Sequence, residues 1–220
     1  MASKRTALQL ENEVDSGQPP TKSTKLVEND TASLNRDTRT QPDQGSDGGE
    51  SQLLQIEEQV GDIFDAPENS VLIHACNCEG SWGAGIAAAF RKQYPKAFQK
   101  YKAHCKESSA TQLRGTAYLI EPCEENDPPK HFIGCLFTSG GRGKTKDKPN
   151  AILERTAPAM RDLLRQIADV KGDRDVAEIR TCQINSGLFK VPWDKTKTAL
   201  EEIRLESKGW PSTVIVYSRD

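Results

Sequence analysis

From Leu53 onward the sequence alternates short, nearly unbroken apolar runs with longer amphipathic stretches. That alternation restricts the chain to a sheet covered by helices, because each element must bury one apolar face against another layer. The run VLIHAC at 71–76 is apolar at almost every position, which fits a central strand buried on both faces. Further strands are expected at 53–57, 115–121, 131–138, 178–184 and 213–217. Helices are expected from Gly85 to just before Pro95, then over 96–106, 150–169 and 194–207. In the third of these, Ile152, Leu153, Ala157, Met160, Leu163, Leu164 and Ile167 recur at helical spacing. Pro158 lies within it and is expected to kink it or mark a boundary. The EENDPPK run separates the two middle strands. The expected class is α/β, with helices on both faces of the sheet.

Residues 1–50 contrast with this pattern. They are rich in Ser, Thr, Asp, Glu, Gln, Asn and Lys and end in QPDQGSDGGE. Such a segment buries too little apolar surface to offset its ordering entropy, so a disordered polar tail is expected there and a single folded domain over 51–220. Lys4-Arg5 is too short a basic run to argue for nuclear import. The formal charge of −2 over 220 residues lacks the basic excess of a chain built to neutralise nucleic-acid or membrane phosphates. No stretch approaches the roughly 20 apolar residues that cross a bilayer, and the N-terminus lacks a signal peptide's apolar core. An intracellular protein, cytoplasmic and/or nuclear, is expected. Cys76, Cys78, Cys105, Cys123, Cys135 and Cys182 are scattered, several in apolar runs. They read as free buried thiols in a reducing compartment. Neither Cys76-x-Cys78 nor His104-Cys105 has zinc-site spacing.

Ligands of such sheets bind at the carboxyl ends of strands, where loops run into helix N-termini. Three such places stand out. Gly61-Asp62-Ile63 offers a tight turn and a carboxylate acceptor for an amino group; an Asx-type turn is the plainer role for that aspartate. His74 to Phe90 reads as strand, glycine-bearing loop and helix, with Asn77 at the strand end and Trp82-Gly83-Ala84-Gly85 before the helix. Gly83 and Gly85 allow close approach of the backbone to an anion. His74 could serve as acid or base if it reaches the cleft, although a histidine within a buried strand is more often a core residue. The third loop, Asn185 to Trp193, again joins a strand to a helix. Ser186 and Gly187 can offer amides to a diphosphate, and Phe189 a face to a ribose.

The Gly-Asp-Ile turn, a strand ending in A-x-N, a W-G-x-G-I-A loop into a helix and a late S-G-L-F loop, in this order, resemble the macrodomain family over about residues 52–218. HACNCEGSWGAGIA and INSGLFKVPW are similar to the fungal ADP-ribose 1''-phosphate phosphatases, in which histidine opens the usual N-A-A-N element. The resemblance implies a three-layer α/β/α macrodomain with a central mixed sheet. It implies that Asp62 and Ile63 receive adenine, with Gly61 shaping the turn, and that Ala75, Cys76 and Asn77 meet the distal ribose. Trp82, Gly83, Ala84, Gly85, Ile86 and Ala87 would wall the phosphate site. Asn185, Ser186, Gly187, Leu188, Phe189, Lys190 and Val191 would oppose them. Two positions depart from the family. Ala84 replaces a glycine, tolerable if its φ stays negative, and Lys190 replaces a small residue, which either crowds the loop or adds a positive charge beside the diphosphate.

GGRGKT at 140–145 is not a P-loop, which would need glycine at Thr138 and an apolar helix directly after. It reads as a flexible basic loop beside the ligand phosphates. Cys135 to Arg142 has one residue too many for the cysteine-phosphatase signature, and Cys135 sits in an apolar strand where a thiolate is costly. The expected activity is hydrolysis of ADP-ribose 1''-phosphate to ADP-ribose and phosphate, with positioning and charge stabilisation contributing most. His74 is the expected acid or base, and Asn77 orients the ribose. No cofactor or metal is implied, since no carboxylate cluster accompanies the loops. Small-molecule ADP-ribose derivatives are the expected partners. Two alternatives stay open: a hydrolase acting on ADP-ribosylated proteins, for which Ser139 and Phe189 replace a lysine and aspartate of the vertebrate type, and a non-catalytic ADP-ribose reader.

Overall fold

The computed structural model describes residues 52–125 and 130–219; the expected polar tail, 1–50, lies outside them, as does the middle of the EENDPPK run. In chain order the elements are β1 (Gln55–Val60), β2 (Val71–Asn77), α1 (Gly85–Gln93), α2 (Pro95–Glu107), α3 (Ala110–Leu113), β3 (Ala117–Ile120), β4 (Phe132–Ser139), α4 (Pro149–Lys171), β5 (Ile179–Cys182), α5 (Trp193–Glu201) and β6 (Thr213–Ser218). A single 3-10 turn, Gly143–Thr145, follows β4.

The strands form one sheet in the order β1-β6-β5-β2-β4-β3. All neighbours are parallel except β3, which runs antiparallel to β4. The expected mixed sheet is therefore present. β4 is buried along its whole length and β2 at every residue but Ala75, as continuous apolar runs require. Their alternate side chains feed two cores. Val71 and Ile73 pack with Met160, Leu163 and Leu200 of α4 and α5. Leu72 and Cys76 pack with Phe90, Phe98 and Tyr101 of α1 and α2. These two cores make the three layers.

Helix α4 runs unbroken through Pro158, so neither boundary nor break occurs there. Pro158 is on the exposed face, where water can satisfy the carbonyl left without its usual donor. Helix α5 ends at Glu201 rather than near 207. The chain beyond it pairs with the segment before β1, through Leu54 N–H to Ile203 O (2.9 Å) and Leu205 N–H to Gln52 O (2.8 Å). Helix α3 was not expected; Ser109 and Gln112 form a reciprocal capping box that starts it.

Candidate ligand-binding site

The parallel strands β6, β5, β2 and β4 all end at one sheet edge. That edge carries the loops after β2 and β5, flanked by the loops after β1 and β4. The loop after β2 is shaped by Asn77. Its Oδ1 accepts from the Glu79 N–H (3.0 Å) and the Ser81 N–H (3.4 Å), while its Nδ2 donates to Ser81 O (2.6 Å). The Tyr101 hydroxyl donates to the Asn77 carbonyl at 2.6 Å. Asn77 is only 6 % exposed, so it acts first as a loop brace, a role distinct from the expected direct contact with ribose.

Beyond this brace, Gly83, Ala84 and Gly85 are exposed, and Ile86 and Ala87 half-buried. Ala84 precedes α1 in extended conformation (φ −155°) and no side chain caps the helix. The condition on Ala84 is thus met. The first amides of α1 lack intrahelical acceptors and are available to an anion. Gly85 has φ +57°, a left-handed conformation that disfavours any side chain there.

Across from it, the loop after β5 is anchored by a buried polar chain. The Thr138 hydroxyl donates to Asn185 Oδ1 (2.9 Å), Asn185 Nδ2 donates to Thr156 Oγ1 (2.9 Å), and Thr156 donates to Ile152 O (2.9 Å). Asn185 (φ +64°) and Lys190 (φ +59°) are both left-handed, and the Val191 N–H closes the loop on Asn185 O at 3.0 Å. Val191 is buried, Ser186 and Phe189 half-buried, and Gly187, Leu188 and Lys190 exposed. The loops approach each other: a Cβ on Gly85 would lie 3.6 Å from Leu188 Cδ1.

At the far end, Asp62 Oδ1 accepts the Phe64 N–H (3.1 Å), the plain Asx-type turn, and Oδ2 receives Arg219 at 2.7 Å. Ile63 is buried. Gly61 lies against the Tyr217 ring, 3.3 Å from where a Cβ would sit.

Three expected site residues lie elsewhere. His74 has no exposed surface. Its ring stacks on Phe90 (centroids 4.2 Å apart) and meets Trp82 edge-on at 4.7 Å. His74 was expected as a direct acid or base; it sits on an even position of β2, all of which face the α1–α2 core, and its ring packs there instead of lining the loops. Both imidazole nitrogens are 3.6 Å from Cys76 Sγ, and Cys135 Sγ completes a buried trio. Cys76 is 2 % exposed and Trp82 1 %, so they support the loop from beneath instead of walling it; Trp82 also stacks on Tyr101 at 5.0 Å. Burial holds the Cys76 thiol well above its usual range.

Sequence reasoning missed Tyr101, which lies between Lys100 and Lys102, Thr138 in the apolar run of β4, and Thr156 after Arg155 in α4. Thr156 on the buried face of α4 was the most legible of them, since a buried hydroxyl requires a partner.

Two loops lie side by side at the carboxyl edge of a three-layer sheet, each leading into a helix whose first amides no side chain caps, an arrangement suited to an anionic ligand. The sequence profile described as "Macro domain" matches residues 73–200, and the chain belongs to that family. An ADP-ribose 1''-phosphate phosphatase of Chaetomium globosum is 49 % identical over 158 residues, covering 69 % of this chain and 85 % of that protein. One of Neosartorya fischeri is 39 % identical over 188 residues, covering 71 % and 92 %. In structure, the macrodomain of Thermus aquaticus DarG is similar with a TM-score of 0.57 at 21 % identity, over 74 % of this chain and 98 % of that one. That likeness concerns the fold.

Proposed function

We propose that the protein hydrolyses ADP-ribose 1''-phosphate to ADP-ribose and inorganic phosphate. The observation that carries the reading is the facing pair of exposed loops, Gly83–Ala87 and Ser186–Lys190, in a chain 49 % identical to a phosphatase of that name. Backbone amides of both loops hold the diphosphate, and Asp62 accepts from the adenine amino group. Water adds to the terminal phosphorus, the bond from phosphorus to the anomeric oxygen breaks, and that oxygen takes up a proton, supplied overall by the attacking water, to become the ribose hydroxyl while inorganic phosphate leaves. The ring oxygen withdraws electrons from the anomeric centre, which makes this a better leaving group than an ordinary alkoxide. Alignment and charge stabilisation by fixed amides are then the main contributions asked of the protein.

Phosphate release from ADP-ribose 1''-phosphate, measured alongside calorimetric binding of ADP-ribose, tests the proposal. Release by the wild type and loss of both properties in Gly85→Glu are expected, because any side chain is strained at that left-handed position and a carboxylate there repels the diphosphate. Binding without release from ADP-ribose 1''-phosphate or from an ADP-ribosylated protein identifies a reader instead. Release of ADP-ribose from the protein alone identifies the de-ADP-ribosylating alternative.

A further inference from the structure

The loop after β4, which contains GGRGKT, takes no part in the reading above. Far from being loose, it is fastened at both ends. The Gly140 N–H donates to Asp147 Oδ2 (2.6 Å), which also holds Arg155 (2.6 Å), and the Asp147 N–H donates to Ser139 Oγ (3.1 Å). Burial opposes ionisation of Asp147, but the Gly140 amide and Arg155 outweigh it and hold the carboxyl below its usual range. A Cβ on Gly140 would lie 2.3 Å from the Arg114 guanidinium, so a side chain there would push that guanidinium away. The loop is also tied to the loop after β2. The Cys78 N–H donates to Ser139 O (3.1 Å), Arg142 Nε lies 3.2 Å from Glu79 Oε2, and Thr145 Oγ1 lies 3.1 Å from Glu79 Oε1.

The sheet order ranks these loops. Passing from β1 through β6, β5 and β2 to β4, one meets Asp62, the Asn185–Val191 loop, the Asn77–Ala87 loop and then Arg142. Adjacent strands are about 4.8 Å apart. A ligand with adenine at Asp62 and its diphosphate between the β5 and β2 loops has its ribose at the β2 loop. Whatever extends past that ribose projects over the β4 loop. There the chain reads Arg142-Gly-Lys144-Thr-Lys146-Asp-Lys148, with the Arg142 side chain 61 % exposed and its Glu79 partner 41 %.

We infer that Arg142 is the specificity-determining cation for the terminal phosphate, with Glu79 holding it in place until that phosphate arrives. The inference rests on the phosphatase reading and adds the group that separates substrate from product. A phosphate monoester carries more charge than a carboxylate and accepts the guanidinium fork in a bidentate manner, so it displaces Glu79 as the partner. ADP-ribose, lacking that phosphate, leaves the Arg142–Glu79 pair intact.

The test measures phosphate release from ADP-ribose 1''-phosphate and calorimetric affinity for ADP-ribose in the wild type, Arg142→Ala and Arg142→Lys. Arg142→Ala should lower kcat/KM at least about tenfold, with ADP-ribose affinity changed less than about twofold and partial recovery in Arg142→Lys. Equal losses toward both ligands, or no loss toward either, overturn the inference. Should the wild type bind but not turn over, the phosphatase reading fails separately. The comparison then becomes affinity for the two ligands, and a wild-type preference for ADP-ribose 1''-phosphate that Arg142→Ala keeps also overturns it.

Discussion

His74 is packed between Phe90 and Trp82 with no exposed surface, a position from which it would act on turnover through the loop it supports. Replacing it by methionine, of similar volume and able to contact aromatic rings, removes the imidazole while retaining most of the packing. His74→Met should lose about 1–2 kcal/mol of stability and keep phosphate release within about threefold of wild type, with an unshifted pH profile. A general acid or base would instead forfeit about a hundredfold or more, and a loss of that size with a changed pH profile would assign His74 the proton-transfer role. Much at this scale was legible. Alternation along β2 already favoured a core position for His74, and glycines before α1 marked exposed amides. Not legible was the reversal of Asn77 into its own loop, because that depends on Tyr101, 24 residues away. Lys190 in left-handed geometry was equally hidden: its strain comes from the closure of Val191 onto Asn185.

Elements were legible where burial dictates them and obscure where side chains replace the backbone ladder. The strands β2, β4 and β6 fell close to their expected bounds because they are apolar runs between turns. Among the described residues no strand pairs with the outer edge of β3, and α4 covers it with side chains. The Ala117 N–H donates to Asp162 Oδ2 (2.8 Å), the Leu119 N–H to Gln166 Oε1 (2.9 Å), and Gln166 Nε2 to Ala117 O (3.0 Å). The i,i+4 spacing of Asp162 and Gln166 reproduces part of a strand's pattern on a helix. An uncovered edge invites pairing with another chain. Asp162→Ala combined with Gln166→Ala should therefore cost about 2–4 kcal/mol, from bonds left unmade, and light scattering should show concentration-dependent association. A monomeric double variant of unchanged stability would mean that water serves this edge equally well. Arg165→Ala, which removes only exposed ion pairs to Asp162 and Asp169, should change stability by less than about 1 kcal/mol.

Taken across the molecule, the buried titratable groups set the pH range in which the fold is stable. His131 is 3 % exposed, held between the Tyr94 hydroxyl (2.7 Å) and Ala66 O (3.0 Å), and burial lowers its pKa from the ordinary 6.5. Burial lowers His104, stacked on Tyr118, in the same direction. Below about pH 6.5 the unfolded chain therefore binds protons that the folded one refuses, and stability falls as pH drops toward the folded pKa values. The thiols act oppositely. Burial pushes Cys78 and Cys182 up to about 12 and Cys105 to about 11 from an ordinary 9.0. It also raises Cys76 and Cys123, together with Tyr94, Tyr101 and Tyr118. Above about pH 9 the unfolded chain releases protons that the folded one keeps, so stability falls as pH rises. More groups contribute on the alkaline side than on the acid side. Urea unfolding between pH 5 and pH 10.5 under reducing conditions should thus show a plateau from about 6.5 to 9 and a steeper alkaline limb. In His131→Gln, where the amide can still meet Tyr94, the acid limb should flatten and the alkaline limb stay unchanged. Stability maintained to pH 10.5 would show that the thiols are reached by water in the folded state, against the closed core on which the α1–α2 layer and the ligand loop above it depend.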